Sequence, residues 1–441
     1  MESISYILDN VGKYKQMLTD RFMNPNQIDD IFNLHEQYTA SLVKLQKTRK
    51  LKNIISNLIN KPVAGDKIEW NFENDNQIDP PKLLELDITC YSKTSLIRLG
   101  KELKLFIDLY ENQCNVYLKQ RNDVVAKIPN LLHASVPIFE NEKNNQIVRS
   151  FNAPSDDTLN DTKLYDQYEL CCKLGIIEEA GNIAGHRGYF LVNEGVRLNY
   201  ALVNYALDFL QQKGYKLMYT PHFMKKEKIE QVCQLSEFQE TLYGVNDNEL
   251  FLIATSEQPM TAYYADKQLN NLPEKLCGIS TCYRKEAGKH GKDTLGIFRV
   301  HQFEKVEQFC VTSPEDSWNM MEQMIKTSQE FYESLGISYR VVNIVSKELN
   351  NAAALKYDLE GFFKGSGKYR ELVSCSNTTD YFSRKIKTKC ANKEFVHMLN
   401  STLFANTRTI CCLLETHQCA DGVMVPEVLR KYYDTEKMMF K

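Results

Sequence analysis

The sequence contains no run of about 18 apolar residues, so no segment reads as a membrane-spanning helix. It has no CxxC and no HExxH, and its eight histidines and thirteen cysteines form no cluster with zinc-ligand spacing. The cysteine count is odd, and the pairs Cys171–Cys172 and Cys411–Cys412 lack metal spacing, which predicts reduced, mostly buried thiols in a cytoplasmic protein without zinc. The N-terminal MESISYILDNVGKYKQ mixes charges early and lacks the apolar core of a secretory signal. A phosphate loop is missing as well. Gly361–Lys368 reads GFFKGSGK, with Ser366 where the second glycine belongs, and no GxGxxG follows a strand. Only 19 glycines and 12 prolines occur in 441 residues, which favours long regular elements over loops.

What is present is ordinary globular composition, 43% hydrophobic and 25% charged, long enough for two or three domains. The 54 basic and 57 acidic residues leave a net charge of −3. That total excludes a uniformly basic nucleic-acid binder but not a local patch.

Two long helices are expected in the first 130 residues. Between Gln27 and Asn60, Ile31, Leu34, Tyr38, Leu42 and Leu45 step by three and four. Between Ser92 and Ile128, Leu96, Leu99, Leu103, Phe106, Tyr110, Tyr117 and Val124 keep the same stripe, with Gln113 and Gln120 at the skipped positions. Such steps keep one stripe against a partner helix. The segment 61–91 between them, with Pro62, Gly65, Pro80 and Pro81, reads as a connector, so an antiparallel helical hairpin is predicted over 27–128. The two helices sum to +5 and the connector to −4. Lys44, Lys47, Arg49, Lys50 and Lys52 approach Lys93, Arg98, Lys101 and Lys104 in such a hairpin, a patch suited to a phosphate backbone.

Glu140–Thr162 is polar and reads as a linker, after which the composition turns to short β-rich runs with intervening helices. No βαβ alternation is visible, so an α+β domain with an antiparallel sheet is expected over 131–441. Strands are expected at Leu250–Ala254, Leu276–Tyr283, Gly296–Val311 and Ser338–Val345, with helices at Gly195–Lys213 and Glu315–Leu335. The chemistry concentrates in Thr255-Ser-Glu257, in Cys282-YRKEA-Gly288, and in the run His290–Phe309. Arg284 and Glu286 lie two apart at a strand end and project to one face; Arg299, His301, Phe303, Lys305 and Glu307 share a side of the returning strand. An aromatic ring for a planar base, an arginine for an anion and two carboxylates then meet on one surface.

This order of Arg-x-Glu, loop, Arg-x-x-x-Phe resembles motif 2 of the class II aminoacyl-tRNA synthetases, and its flanks closely resemble the seryl-tRNA synthetases of the eukaryotic cytosolic type. Gly214-YKLMYTP-His222 is similar to motif 1, Ala254-TSEQP-Met260 to the family's serine-binding TSE strand, and Phe363–Asp380 with His397–Leu414 to the signatures around motif 3. The resemblance implies a class II antiparallel-sheet core of 131–441 flanked by helices. Residues 1–130 become an N-terminal tRNA-binding domain whose coiled-coil arm uses Lys44, Lys47, Arg49, Lys50, Lys52, Arg98, Lys101 and Lys104. It implies ATP and L-serine as substrates, Mg²⁺ with the ATP, tRNA(Ser) as acceptor with tRNA(Sec) a second candidate, and a homodimer with Pro221 at its interface.

Position by position, Arg284 and Arg408 become catalytic. ATP is held by Arg284, Lys285, Glu286, Val300, His301, Gln302, Phe303, Glu371, Leu372, Val373, Ser374 and Arg408. Glu371 and Ser374 hold the metal. Serine is held by Thr255, Glu257, Arg284, Glu307, Asn400 and Thr402. Lys285, Lys292 and Thr378 stand where the family often has Gln, Arg and Cys, and Phe404, Asn406 and Thr407 replace the glycines of generic motif 3. A synthetase-like paralogue serving another acceptor, or a non-catalytic RNA-binding protein, remains the alternative reading.

Overall fold

The computed structural model describes residues 4–60, 67–69, 79–153, 164–233, 241–286 and 295–441. The central connector residues with Pro62 and Gly65, the end of the polar segment up to Thr162, and the motif 2 loop with Lys292 lie outside them. Two compact units emerge. One holds 4–19 and Met23–Ile128, the other Asp20–Phe22 and Pro129–Lys441.

The first unit is built on α1 (Gln27–Ile59) and α2 (Lys93–Val125), each 33 residues long. Asp29 and Asp30 lie in the first turn of α1, where the helix dipole favours negative charge. The Ser92 hydroxyl caps α2 by accepting from the Ser95 amide at 3.2 Å. Leu45 packs with Ile107, Tyr110 and Cys114, while Leu51 and Ile55 pack with Leu96, Leu99 and Leu103, so the helices run antiparallel. Beyond Tyr110 the buried positions of α2 are Cys114, Arg121 and Val125, not Gln113, Gln120 and Val124. A 3.6-residue turn drifts from a strict 3.5 repeat by about 20° per heptad, which moves the seam by one residue. Arg121 is tolerated there because its guanidinium meets His35 Nδ1 at 3.1 Å and lies 5.1 Å from the Tyr38 ring centre. The described end of the connector is more than a link. Pro80–Leu83 is helical, and Leu83 and Ile88 join the Leu51–Leu96 cluster.

The second unit carries an eight-stranded sheet made of β1 (Gln146–Phe151), β2 (Lys216–Tyr219), β3 (Glu274–Tyr283), β4 (Gln302–Thr312), β5 (Tyr339–Asn343), β6 (Leu355–Phe363), β7 (Lys368–Asn377) and β8 (His397–Ala405). Their spatial order is β1-β5-β6-β7-β8-β4-β3-β2. Every pair is antiparallel except β2 with β3. β1 falls within the segment expected to be a linker. As an edge strand it needs little apolar burial, and it is anchored mainly by Phe151, stacked on Tyr339 at 5.6 Å.

Helices α3 (Glu194–Gln212), α4 (Glu257–Tyr263), α5 (Ser317–Ser334) and α6 (Asn406–His417) pack around this sheet. The period of two along β4 sorts its residues. Val306 and Cys310 join Leu202, Met324, Ile410 and Leu414 from α3, α5 and α6 in the main core. Phe309 and Val311, on the other face, join Met260 and Tyr264 in a second, smaller core. Phe303, Lys305 and Glu307 share that second face and are left to line a cavity.

Candidate active site

The cavity, of ≈ 280 Å³, is walled by β4, β6, β7, β8, the residues just after β3, and the first turn of α6. A neighbouring lobe of ≈ 290 Å³ shares Thr255, Glu257, Arg284 and Asn400 with it. Two bulges decide which side chains face in. Leu359 pairs with Val373 but Glu360 pairs with Glu371, so Leu372 is an extra residue in β7. Three positions apart, Glu371 and Ser374 fall on opposite faces of a regular strand; the bulge turns both into the cavity. Likewise Val306 pairs with Phe404 and Glu307 with Thr402, so Leu403 is extra in β8. Asn400 and Thr402 before it, and Ala405, Thr407 and Arg408 after it, all reach the same cavity.

Glu307 is the buried centre of one end, about 1% exposed. Lys305 Nζ donates to its Oε1 at 2.9 Å. Its Oε2 accepts from the Thr255 hydroxyl, from Ser256 Oγ at 3.1 Å and from the Glu257 amide at 3.3 Å. Burial pushes the Glu307 carboxyl up, but Lys305 and these hydroxyls outweigh it and hold the group below the usual carboxylate range. Gly278 faces Glu307 across the ladder, where an added Cβ comes within 2.6 Å of Ser256 Oγ, so the glycine lets the Thr255–Glu257 turn close on the carboxylate. That segment is the turn entering α4 rather than a strand. Glu257 accepts from Asn400 Nδ2 at 2.7 Å, and Asn400 Oδ1 is a buried acceptor with no hydrogen-bond partner among the described residues.

At the other end Arg284 lies 5.3 Å from the Phe303 ring centre, and its Nε donates to the Ala254 carbonyl at 3.4 Å. Glu286 reaches the cavity through a left-handed φ of 48° rather than by strand alternation. It pairs with Arg299 at 3.3 Å and Arg187 at 3.7 Å. Arg408 lies 3.4 Å from the Glu371 carboxylate, donates to the Glu371 carbonyl at 3.3 Å, and sits 5.3 Å from the Phe298 ring centre. Burial raises Glu371, while Arg408, Lys356 and Arg284 together hold it below its ordinary value. On β6, burial pushes the Asp358 carboxyl up to about 7 against the pull of Lys356.

All six residues expected around serine line this cavity, as do Arg284, Glu286, Val300, Phe303, Glu371, Leu372, Ser374 and Arg408 of the nucleotide set. The other four do not. His301 breaks the expected alternation because β4 begins only at Gln302; its Nδ1 meets the Arg284 carbonyl at 2.9 Å, and it lines a separate cavity with Gln302. The Lys285 ammonium is 6.0 Å from the Tyr243 ring centre, and Val373 is buried in the main core. Residues not anticipated include Lys356 and Asn350. Asn350 sits in a loop whose carbonyls are gripped by buried Arg21, with bonds of 3.4 Å to Leu349, 3.2 Å to Asn350 and 2.6 Å to Ala353. No sequence signal links residue 21 to that loop.

Among the described residues no group of three or more His, Cys, Asp and Glu side chains is arranged to hold a metal. Glu371 and Ser374 offer two hard oxygens, which suits a divalent cation whose remaining ligands are phosphate oxygens and water.

An antiparallel-dominated sheet whose cavity is lined by Arg284 and Arg408, an aromatic platform and carboxylates defines a class II aminoacyl-tRNA synthetase core. The family model for the tRNA synthetase class II core domain (G, H, P, S and T) matches residues 240–417. A serine–tRNA ligase of Helianthus annuus is 43% identical over 420 residues, spanning 92% of this chain and 90% of that protein. The crystal structure of the cytoplasmic serine–tRNA ligase of Naegleria fowleri, complexed with AMP, superposes with a TM-score of 0.87 at 44% identity, covering 98% of this chain and 96% of that one. That of the Pyrococcus horikoshii seryl-tRNA synthetase, complexed with ATP, gives 0.86 at 32% identity with 100% coverage of both. The chain belongs to the seryl-tRNA synthetase (serine–tRNA ligase) family.

Proposed function

We propose that this chain activates L-serine with ATP to seryl-adenylate and transfers the serine to the 3′ end of tRNA(Ser). The observation that carries the reading is one cavity joining the Glu307–Glu257–Asn400 end to the Arg284–Glu371–Arg408 end. The serine carboxylate attacks the α-phosphorus, forming an acyl–phosphate bond as the bond to pyrophosphate breaks. A carboxylate is already a nucleophile, so positioning and electrostatics carry the step without a general base. Arg284 neutralises charge at the α-phosphate and Arg408 does so toward the leaving pyrophosphate. Glu371 and Ser374 would hold Mg²⁺, which when bound would neutralise and orient the phosphates. Phe303 supplies the face for adenine. In the second step the terminal ribose hydroxyl attacks the acyl carbon and AMP leaves.

The polar end also accounts for selectivity. A site that hydrogen-bonds a hydroxyl leaves buried groups unpaired when alanine enters, a discrimination on the order of 10⁴. Exchange of labelled pyrophosphate into ATP, dependent on serine, tests the reading.

The arm, in this proposal, binds tRNA. Lys44, Lys47, Lys50, Lys101 and Lys104 are exposed, as the electrostatic reading needs. Arg49 is instead paired with Glu111, an acidic residue just beyond the basic patch. Lys44/Lys47/Lys50→Ala is therefore the informative triple: tRNA charging weakens, and the slope of log affinity against log salt falls by about 2–3, with serine-dependent exchange unchanged. Filter binding across a salt series reads this out, and equal loss of exchange would count against it.

A homodimer is proposed across β2 and α3. Among the described residues the edge strand β2 leaves a ladder unpaired, Pro221 beyond it is exposed, and Tyr219 and Phe223 on either side of Pro221 expose large rings, as do Phe190 and, on α3, Tyr200. A cytoplasmic location fits the names of the relatives.

A further inference from the structure

One charge pair on the cavity wall joins a buried carboxylate, Asp358, to a partly buried ammonium, Lys356. Lys356 and Asp358 share a face of β6, with Lys356 Nζ 3.2 Å from Asp358 Oδ2. Lys356 lines the cavity with Arg284, Glu371 and Arg408. Asp358 stands directly across the ladder from Ser374, which the bulge at Leu372 brings onto the same face as Glu371. Asp358 is only 7% exposed, and its Oδ1 has no hydrogen-bond partner among the described residues.

Such a pair does little for folding. Desolvating two charges costs several kcal/mol per ion, and a well-packed apolar pair of the same volume is often as stable or more so. An unmet buried acceptor costs about 1–3 kcal/mol more. A violation of this kind, beside two hard oxygens and the guanidinium groups of Arg284 and Arg408, belongs where a charged ligand completes the network. The side chains that orient a metal ligand from behind matter nearly as much as the ligand itself.

We propose that Lys356 and Asp358 form a positioning unit for the cation–polyphosphate subsite, Asp358 orienting the Ser374 hydroxyl toward the metal and Lys356 presenting its ammonium to the phosphates. The inference rests on the reading of this cavity as an ATP·metal site. Lys356 supplies a fixed positive charge to the polyphosphate without itself ligating the metal, and Asp358 keeps that ammonium from collapsing onto Glu371.

The test uses the full-length enzyme, with Mn²⁺ as the probe, titrated by electron paramagnetic resonance in the presence of ATP. Asp358→Asn weakens Mn²⁺ binding at least about tenfold and shifts the Mg²⁺ half-saturation of exchange by a similar factor, with KM for serine unchanged. Lys356→Met raises KM for ATP about tenfold, again without moving KM for serine. The double variant Lys356→Met/Asp358→Asn removes both charges together, so its Tm returns toward wild type while both losses persist. Wild-type Mn²⁺ affinity in Asp358→Asn, or its recovery in the double variant, would overturn the proposal and leave the pair a structural ion pair. If the wild-type enzyme lacks serine-dependent exchange while the Mn²⁺·ATP contrast persists, the function reading falls and the positioning role stands.

Discussion

Arg284→Ala lowers serine-dependent ATP–pyrophosphate exchange by about 10³-fold or more, with Tm falling by no more than a few degrees. The rate effect follows from where the charge sits. Arg284 lines the cavity with Glu371 and Arg408, and in the proposed reaction its loss removes a donor aimed at charge that develops only as the acyl–phosphate bond forms. Arginines serving transferring phosphoryl groups are worth about 10³–10⁵ in rate. The small stability effect follows from its contacts. It makes one long bond to the Ala254 carbonyl and lies over Phe303, and neither partner is left as an unpaired buried charge by truncation. Exchange kinetics with calorimetry on one preparation separate the two effects. A large Tm loss with a matching activity loss would make Arg284 a structural residue.

Lys305→Met shows the opposite balance. Lys305 and Glu307 are both buried, about 6% and 1% exposed, and removing one partner of such a pair strands the other. The expected cost is about 3–5 kcal/mol of stability. Glu307 then keeps its hydroxyl and amide donors but loses the only full countercharge bonded to it among the described residues, so the Thr255–Glu257 turn loosens and KM for serine rises at least about tenfold. KM for ATP changes little, because the nucleotide end keeps Arg284, Glu371 and Arg408. The double variant Lys305→Met/Glu307→Gln recovers most of the stability without recovering serine use. Denaturant melts of the three proteins check this, and a single variant that melts like wild type would contradict it.

Much of this site was legible in the sequence because strand geometry is periodic. Phe303, Lys305 and Glu307 could be placed on one face by counting in twos, and the cavity holds all three. Counting failed where the backbone departs from the period. His301 precedes the strand and turns away, and Glu286 arrives through a left-handed residue. The extra residues Leu372 and Leu403 swap faces in β7 and β8, and no local composition announces them. Lys356 and Asp358 went unnoticed because the strand carrying them was not foreseen, and a Lys-x-Asp pair on a strand otherwise reads as solvated surface. Arg21 acts across more than three hundred residues, a distance no pattern in one sequence encodes.

In the arm the stripe of leucines was readable, while the seam slipped by one residue where Cys114 and Arg121 replace the expected glutamines. The charge total of −3 concealed the basic patch, and the patch itself concealed the Arg49–Glu111 pair.

The most direct test of the account is pyrophosphate exchange measured with each amino acid in turn, in the presence of ATP and Mg²⁺. The account predicts robust exchange with L-serine, alanine slower by about 10⁴-fold, and no substantial exchange with the remaining amino acids. Enzyme that binds ATP yet exchanges no better with serine than with alanine, or with no amino acid at all, would contradict it.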